Sequence, residues 1–465
     1  MRRCILALFV ASAAVGQTGL TSYLEKNRQA VDLANFDAKL LDFHDKQIIL
    51  LGENHGIAIN EDLDFALLKH LHREAGVRVY LGEYGYAAGF ALNQYLETGN
   101  EEILDATMKE FKGSPAWTKE RRAFYAKVQQ WNASLPAADR IHFAGIDVEH
   151  QRDLAVKCLA GLAGDRQAPA PIADVVARLR QGEYAGLAAS LKEHRAEYER
   201  MLGERFFDFE TIATNIERRD EFYADPKGPQ GAAVRERAIY ETFCKVYARM
   251  GGGHWYGRWG SFHVIQRNAE RGRFADMLNQ PGSPVAGKVL SILSVYRGSG
   301  AAPENAFAAA ATGPITLFRL DGRKIPNFEG DAGAVQYVMF IRNAAPSHPL
   351  EEVATALADR PPVVVRSVPE PGSREVPVDL KEVRVTFSKD MSDHSWSWCN
   401  AGRLPGPPLS NVHYDADHRT IVATAKLEPG KKYAVWLNTD GCSNFRDAQG
   451  RSAVPYLLTF ETAAK

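Results

Sequence analysis

The chain of 465 residues lacks an excess of charge of either sign. Its 56 Lys and Arg residues face 57 Asp and Glu residues, so the formal net charge at pH 7 is -1. Proteins that bind nucleic acid or anionic lipid electrostatically usually carry a basic surplus. We therefore expect no nucleic-acid partner. After the N-terminal segment, the sequence also has no apolar run long enough to span a bilayer.

Several motifs of covalent and metal-dependent catalysis are also absent. The sequence contains no Gly-x-Ser-x-Gly elbow, no phosphate loop, no zinc-type cysteine cluster and no His-Glu-x-x-His helix. A covalent Ser or Cys mechanism is therefore disfavoured, and no cofactor is expected. A divalent metal stays an alternative, because histidines and carboxylates that are distant in sequence can still converge in space.

The first residues have the pattern of a secretory signal peptide. Arg2 and Arg3 precede the apolar run Cys4–Val10, which is followed by small residues up to Gly16. A charged, an apolar and a small-residue region in this order are typical of such signals. The pattern predicts a signal peptide over residues 1–16 and export to the periplasm or the medium.

Cysteine is scarce, with five residues in the whole chain. Removal of the signal peptide leaves four of them in an oxidising compartment, where disulfides form. Cys399 and Cys442 lie in the same C-terminal segment, so we expect them to pair. Cys158 and Cys244 lie in helical sequence, and either a second disulfide or two small buried thiols fits them.

Three short apolar runs in the first half each end in Gly plus an acidic residue: Gln47–Leu51, Val77–Leu81 and Ile141–Ile146. Between the first two, Asn60–Glu74 carries leucines at helical spacing, while His70 and His72 fall on its exposed side. Strand, helix and strand within about thirty residues predict a βαβ unit and a parallel sheet. Ligands bind beyond the carboxyl ends of such strands.

The rest of the chain divides into three parts. Residues 151–250 have helical periodicity and predict an inserted helical subdomain. Strand signals resume in four runs, which are Tyr256–Ile265, Val289–Val295, Ile315–Leu320 and Val335–Ile341. We therefore predict an α/β domain over 30–345 with a mainly parallel sheet, and a linker over 346–361.

Residues 362–465 show evenly spaced β-branched runs separated by turns. The strand candidates are Val363–Val368, Val383–Phe387, Thr420–Ala425, Tyr433–Leu437 and Tyr456–Phe460. This spacing predicts an all-β sandwich. The phrases Pro369–Ser373, Val385–Met391, Leu427–Tyr433 and Thr459–Thr462 resemble the bacterial Ig-like domains of S-layer and other surface proteins. The resemblance implies a spacer or adhesive module that associates with the cell surface.

The strand ends supply the candidate chemistry. Glu53 ends the first run and His55 follows two residues later, so a carboxylate can orient an imidazole that acts as a base. Glu83 and Asp147 follow the next two runs. Carboxylates are costly to bury without partners, so three at one sheet edge favour a functional site. His150, close to Asp147, and His263, in a later aromatic run, complete the candidates.

Several of these stretches, in this order, resemble the erythromycin esterase family. They are Leu51–Gly56, Tyr80–Glu83, Pro115–Thr118, Gln130–Asn132, Phe143–Glu149, Val234–Glu236 and Tyr256–His263.

The resemblance implies a hydrolase in which His55 activates water on an ester or lactone carbonyl. It gives Glu53 and Glu83 a supporting role and makes His263 the second histidine of the site. Arg235 and Glu236 match a further polar pair of the family. Asp147 and His150 are candidates for accessory residues of the site. Arg235 or His263 would stabilise the developing oxyanion.

One feature differs from the family. The esterases usually have two residues between the Glu and the His, whereas here only Asn54 intervenes. This spacing is similar to haem-iron-binding lipoproteins and membrane-anchored metalloproteases built on the same sheet. We therefore predict an exported hydrolase of esters, lactones or related carbonyl compounds. The alternatives are an exported haem- or metal-binding protein and a metallopeptidase.

Overall fold

The computed structural model describes residues 19–267, 272–298, 304–323, 325, 328, 333–350, 360–439 and 441–464. The predicted signal peptide, 1–16, lies outside these residues. The chain divides into two compact units, between Leu350 and Glu351. Within the described ranges, no helix is long and apolar enough to cross a membrane.

The first unit is built on an eight-stranded, mainly parallel sheet. Its strands are β1 (Arg28–Val31), β2 (Ile48–Glu53), β3 (Val79–Gly85), β4 (His142–Asp147), β5 (Trp255–Gly260), β6 (Val289–Tyr296), β7 (Ile315–Arg319) and β8 (Tyr337–Ile341). Their order is β1-β7-β8-β6-β2-β5-β3-β4. Strands β8 to β4 in this order run parallel, and β7 and β1 add an antiparallel edge. The predicted α/β class is confirmed.

A helical segment over residues 19–26 precedes β1, and the other helices follow the strands in sequence. They are α1 (Ile59–Glu74), α2 (Tyr86–Thr98), α3 (Glu101–Glu110), α4 (Lys119–Ala133), α5 (Arg152–Ala163), α6 (Ala173–Arg180), α7 (Leu187–Glu193), α8 (Arg195–Leu202), α9 (Phe206–Ala224), α10 (Pro229–Arg249), α11 (Ser261–Val264), α12 (Phe274–Asn279) and α13 (Glu304–Ala310). Helices α5 to α10 occupy the region in which the sequence predicts a helical subdomain.

Two apolar cores cover the two faces of the sheet. Along β2, Ile49 and Leu51 pack into one core, and Ile48 and Leu50 pack into the other. Successive side chains of a strand point to opposite faces, so a strand buried on both faces is apolar throughout. The two cores leave the carboxyl end of β2 as the place where polar side chains gather.

A crevice opens beside that strand end. Strand β3 pairs with β5 only at Val79 and Tyr80. Beyond Tyr80 the two strands diverge, while β2 and β5 stay paired up to Glu53 and Gly260. The carboxyl ends of β2, β3 and β5 therefore surround a space that side chains can line.

Two sequence expectations about histidines are wrong. His263 lies in the short helix α11 and not in a strand, because β5 ends at Gly260. A short apolar run does not distinguish a buried strand from a buried helical turn, which explains the error. His70 was expected on the exposed side of α1 but is buried beside the rings of Phe36 and Phe43.

The start of the predicted linker, 346–361, pairs with the first unit. Pro346 forms a bridge with Ile57, and Pro349 forms one with Thr118. His348 Nδ1 also lies 2.6 Å from Glu120 Oε1. Residues 351–359 of the linker lie outside the described residues.

The second unit has the two sheets of a sandwich. Its strands are β9 (Val364–Val368), β10 (Ser373–Val376), β11 (Glu382–Phe387), β12 (Trp398–Asn400), β13 (Leu409–Tyr414), β14 (Thr420–Ala425), β15 (Lys432–Leu437) and β16 (Tyr456–Thr462). One sheet has the order β13-β14-β11-β9 and the other β10-β16-β15-β12. The paired strands are antiparallel except for β10 and β16, which are parallel. The predicted all-β class of this region is confirmed.

The cysteines divide as one pair and two free thiols. Cys399 and Cys442 form a disulfide across 43 positions of sequence, with their Cα atoms 6.5 Å apart. This separation lies within the usual range for disulfides. Cys158 and Cys244 are free. The structure therefore has two separate thiols at Cys158 and Cys244 and not a second disulfide.

Candidate active site

A cavity of about 420 Å³ lies at the carboxyl ends of β2, β3 and β5. This volume falls in the usual range for small-molecule sites. Its wall includes His55, Glu53, Glu61, Glu83, Tyr84, Arg121, Tyr125, His150, Tyr223, Arg235 and Arg258.

His55 is held by the last residue of β2. Its Nδ1 atom lies 2.5 Å from Oε1 of Glu53, which is only 4 % exposed, whereas the His55 side chain is 49 % exposed. The Glu53 hydrogen bond raises the pKa of His55, burial opposes this, and the charge of Glu83 adds to the rise. With Nδ1 donating to the carboxylate, the neutral ring keeps Nε2 as its proton acceptor.

The His55 imidazole and the Glu83 carboxylate both lie close to Gly260. A Cβ atom on Gly260 would lie 3.4 Å from His55 Nε2 and 3.6 Å from Oε2 of Glu83. The histidine and the glutamate therefore meet above the last residue of β5. A Cβ atom there would be in ordinary van der Waals contact with the imidazole.

Arg258 neutralises the carboxylates beneath His55. This buried side chain in β5 contacts Glu53 Oε2 at 2.7 Å, Glu61 Oε2 at 2.6 Å and Asp64 Oδ2 at 2.9 Å. Tyr80 also donates a hydrogen bond to Asp64. Burial tends to raise the pKa of Glu53, but Arg258 and His55 outweigh it and lower that pKa. Glu53 is therefore an anion that can hold the imidazole.

Glu83 is fixed by three donors on different elements. It accepts hydrogen bonds from the backbone N–H of Gly260 at 2.6 Å and from Arg235 Nη2 at 3.0 Å. Its Oε1 lies 3.3 Å from His263 Nε2. Burial opposes the charge, yet His263, Arg235 and His55 hold the pKa of Glu83 well below its usual range. Glu83 is thus a fixed negative charge beside His55.

Arg235 joins Glu83 to the end of β4. Its Nε atom donates to Asp147 Oδ1 at 3.0 Å, and its Nη2 atom lies 2.5 Å from Asp147 Oδ2. His150 Nε2 is 3.3 Å from the same carboxylate, and its Nδ1 is 2.9 Å from Tyr223 Oη. Despite burial, Arg235 and His150 hold the pKa of Asp147 well below its usual range.

His263 and Glu236 lie behind Glu83 and do not line the cavity. His263 Nδ1 is 2.6 Å from Glu236 Oε1, while Glu236 Oε2 accepts a hydrogen bond from the backbone N–H of Phe274 at 2.6 Å. Burial disfavours a charged ring, but Glu83 and Glu236 raise the pKa of His263 to about 9. His263 is therefore a buried imidazolium that positions Glu83.

The structure places all the sequence-predicted site residues in one connected group, in two layers. His55, Glu53, Glu83, Arg235 and His150 line the cavity, and Asp147, His263 and Glu236 support them from behind. Sequence reasoning missed Arg258, Arg121, Glu61 and Tyr84. Two signals could have revealed part of this set. One is an arginine inside an aromatic strand, and the other is a pair of acidic residues three apart on the apolar side of α1.

Comparisons with known proteins agree with the two-unit architecture. Residues 358–462 match the bacterial Ig-like domain family. No curated protein matches the chain. Among solved structures, a Bacillus cereus protein has 14 % identity and a TM-score of 0.57, covering 72 % of this chain and 99 % of its own.

Two further solved structures share the fold. A succinoglycan biosynthesis protein has 14 % identity and a TM-score of 0.53, over 72 % of this chain and 99 % of its own. A histidine-to-asparagine variant of the erythromycin esterase EreC, in its open conformation, has 11 % identity and a TM-score of 0.51, over 70 % and 98 %. At these identities the likeness shows the fold, which the first unit shares with an esterase.

Proposed function

We propose that the first unit is a hydrolase in which His55 activates water against the carbonyl of an ester, a lactone or a related compound. The observation that carries the proposal is the 2.5 Å contact between His55 Nδ1 and the buried Glu53 carboxylate at the edge of the cavity. A half-exposed imidazole with a fixed tautomer is suited to general-base catalysis near neutral pH.

In the proposed reaction, His55 Nε2 takes a proton from a water molecule as the water oxygen attacks the carbonyl carbon. The tetrahedral intermediate then collapses, and the imidazolium returns the proton to the leaving alkoxide, giving an acid and an alcohol. Glu53 and Glu83 favour the transient imidazolium because both are ionised and close to the ring. General-base assistance typically contributes about 10²–10⁴-fold to the rate.

Arg235 is the better candidate for the oxyanion. It lines the cavity, and its Nε and Nη2 atoms are the ones that bind Asp147 and Glu83, so Nη1 takes no part in those contacts. His263, the other candidate from the sequence, lies behind Glu83. Its proposed role is therefore to keep Glu83 ionised and in position.

The carboxylates of the site favour a mechanism without a metal. Glu53 is bound by Arg258, and Glu83 and Asp147 are bound by Arg235, so a cation would compete with a guanidinium for each of them. No group of three or more His, Cys, Asp or Glu suited to a metal ion occurs within the part of the chain that the structure describes.

The second unit supports an exported location for the protein. Bacterial Ig-like domains and disulfides are common in proteins outside the cytoplasm, where thiols oxidise. We propose that this unit acts as a spacer or an adhesive module at the cell surface.

Hydrolysis after removal of metal tests the proposed function. The purified chain is dialysed against a chelator, its metal content is measured, and its rates are compared on chromogenic esters and lactones. We expect hydrolysis of at least one class, at the same rate before and after dialysis. Loss of activity that one divalent ion restores would instead identify a metallohydrolase, and stoichiometric haem or metal without hydrolysis would identify a binding protein.

A further inference from the structure

One wall of the cavity carries hydrogen-bond donors that have no acceptor among the described residues. The Tyr84 side chain is buried, with 5 % exposure, and its hydroxyl has no hydrogen-bond partner among the described residues. Its ring packs directly over Gly82, where a Cβ atom would collide with it. The absence of a side chain at Gly82 thus makes room for the Tyr84 ring in this wall.

Arg121, in the first turn of α4, is the charged member of the same wall. Its Nε atom is buried and makes no hydrogen bond within the described ranges. The same Nε atom forms an ion pair with Glu61 Oε1, at 3.2 Å. The other oxygen of Glu61 is held more closely by Arg258, at 2.6 Å. The two Nη atoms of Arg121 take no part in this ion pair, and the side chain lines the cavity.

Tyr125 adds a third donor beside them. It is a buried residue that lines the cavity, one turn along α4 from Arg121. The guanidinium carbon of Arg121 lies 6.0 Å from the centre of the Tyr125 ring. Its hydroxyl makes no hydrogen bond with the described part of the chain. Two phenols and a guanidinium thus share one wall, and a guanidinium only donates.

Buried donors without partners are costly, so a wall of this kind favours a ligand that brings acceptors. Carboxylate oxygens fit a guanidinium best, because two parallel hydrogen bonds can form. Contacts also connect the wall to the proposed base. Arg121 binds Glu61, and Arg258 binds both Glu61 and Glu53. Glu53 in turn binds His55.

We propose that Arg121, Tyr84 and Tyr125 form a subsite for a carboxylate group of the substrate. The substrate class is then an ester that carries a free carboxylate near the bond to be cleaved, such as a half-ester of a dicarboxylic acid. This inference rests on the proposed hydrolase function and adds its specificity.

A matched pair of chromogenic esters tests the subsite with the full chain. The p-nitrophenyl esters of succinic acid and butyric acid are close in size, but only the first carries a carboxylate. We expect wild type to have a higher kcat/KM for the succinate half-ester. Arg121→Gln should lower that preference about 10–100-fold, as expected for loss of a hydrogen bond to a charged group, because the succinate half-ester loses more kcat/KM than the butyrate ester. The preference of Arg121→Lys for the succinate half-ester should fall between that of wild type and that of Arg121→Gln.

Two further variants separate binding from structure. Tyr84→Phe removes a hydroxyl without a partner, so the melting temperature should stay equal or rise while the preference falls. Arg122→Gln, the next residue on α4 with exposed ion pairs, is the control and should leave both substrates unaffected. Equal losses on both esters in Arg121→Gln, or a lower melting temperature with unchanged preference in Tyr84→Phe, would overturn the subsite.

Calorimetric titration with succinate makes the two proposals independent. Binding that Arg121→Gln weakens, in a protein that hydrolyses neither ester, would keep the subsite and contradict the hydrolase. Hydrolysis without a preference, together with no succinate binding, would contradict the subsite alone.

Discussion

Replacement of His55 by glutamine is expected to lower kcat for ester hydrolysis by about 10²–10⁴-fold, the usual contribution of a general base. Glutamine can still accept and donate hydrogen bonds at this position but cannot take a proton from water. Because His55 is half exposed and its one described partner is Glu53, the fold should tolerate the change. KM should change little, since a base acts mainly in the transition state.

The control for this prediction is His44→Gln, at an exposed histidine outside the cavity. Its turnover should equal that of wild type. Melting temperatures of both variants show whether the fold is intact. Turnover in folded His55→Gln that equals wild type would mean that another group activates the water.

Replacement of Arg258 by methionine should lower the free energy of unfolding of the first unit by at least about 3–5 kcal/mol, as when one partner of a buried ion pair is removed. The change removes the cation that Glu53, Glu61 and Asp64 share, and Arg121 is then the arginine left beside Glu61. Methionine fills much of the same volume, so the loss reports mainly on charge. The α-helical circular dichroism signal during urea unfolding measures it, because helices α1 to α13 all lie in this unit.

Two comparisons isolate the cause of that loss. Arg122→Met removes an arginine whose ion pairs are exposed and should cost at most about 1 kcal/mol. Adding Asp64→Asn to Arg258→Met removes one of the uncompensated charges and should restore part of the stability. A double variant less stable than Arg258→Met alone would show that the carboxylates are not the source of the instability.

Much of the first unit could be predicted from local patterns. Apolar runs that end in Gly and an acidic residue indicated β2, β3 and β4, and the leucine spacing indicated α1. The position of β5 between β2 and β3 could not be predicted, because strand pairing depends on contacts between residues about 200 positions apart. That pairing brings Gly260 and Arg258 to Glu53 and so completes the site.

The parts of the site that the sequence did not indicate are those that resemble surface positions. Glu61 and Asp64 fall near the start of a helix, where acidic residues are common and usually solvated. Their role in the site can be recognised only once the fold places Arg258 in contact with both carboxylates. Tyr84 follows a predicted strand end, but only the fold shows that its hydroxyl has no acceptor in the part of the chain that the structure describes.

In the second unit, the strands missed by sequence reasoning share one property. Strands β10, β12 and β13 each lie at the edge of a sheet. Edge strands are short or polar because one side faces solvent, so the β-branched pattern that indicated β11, β14 and β15 is weak in them.

The pH dependence of kcat/KM in wild type and Glu53→Gln tests most directly whether His55, held by Glu53, is the base. The neutral ring is the active form, so the rate should rise with pH, with a midpoint above about 6.5, the ordinary pKa of histidine. Glu53 is the largest cause of the raised pKa of His55, while burial and Arg121 oppose it. In Glu53→Gln the midpoint should therefore move to lower pH, together with a lower maximal rate. A midpoint unchanged by Glu53→Gln, in a protein that still hydrolyses the ester, would contradict the pairing of Glu53 and His55 as the catalytic base.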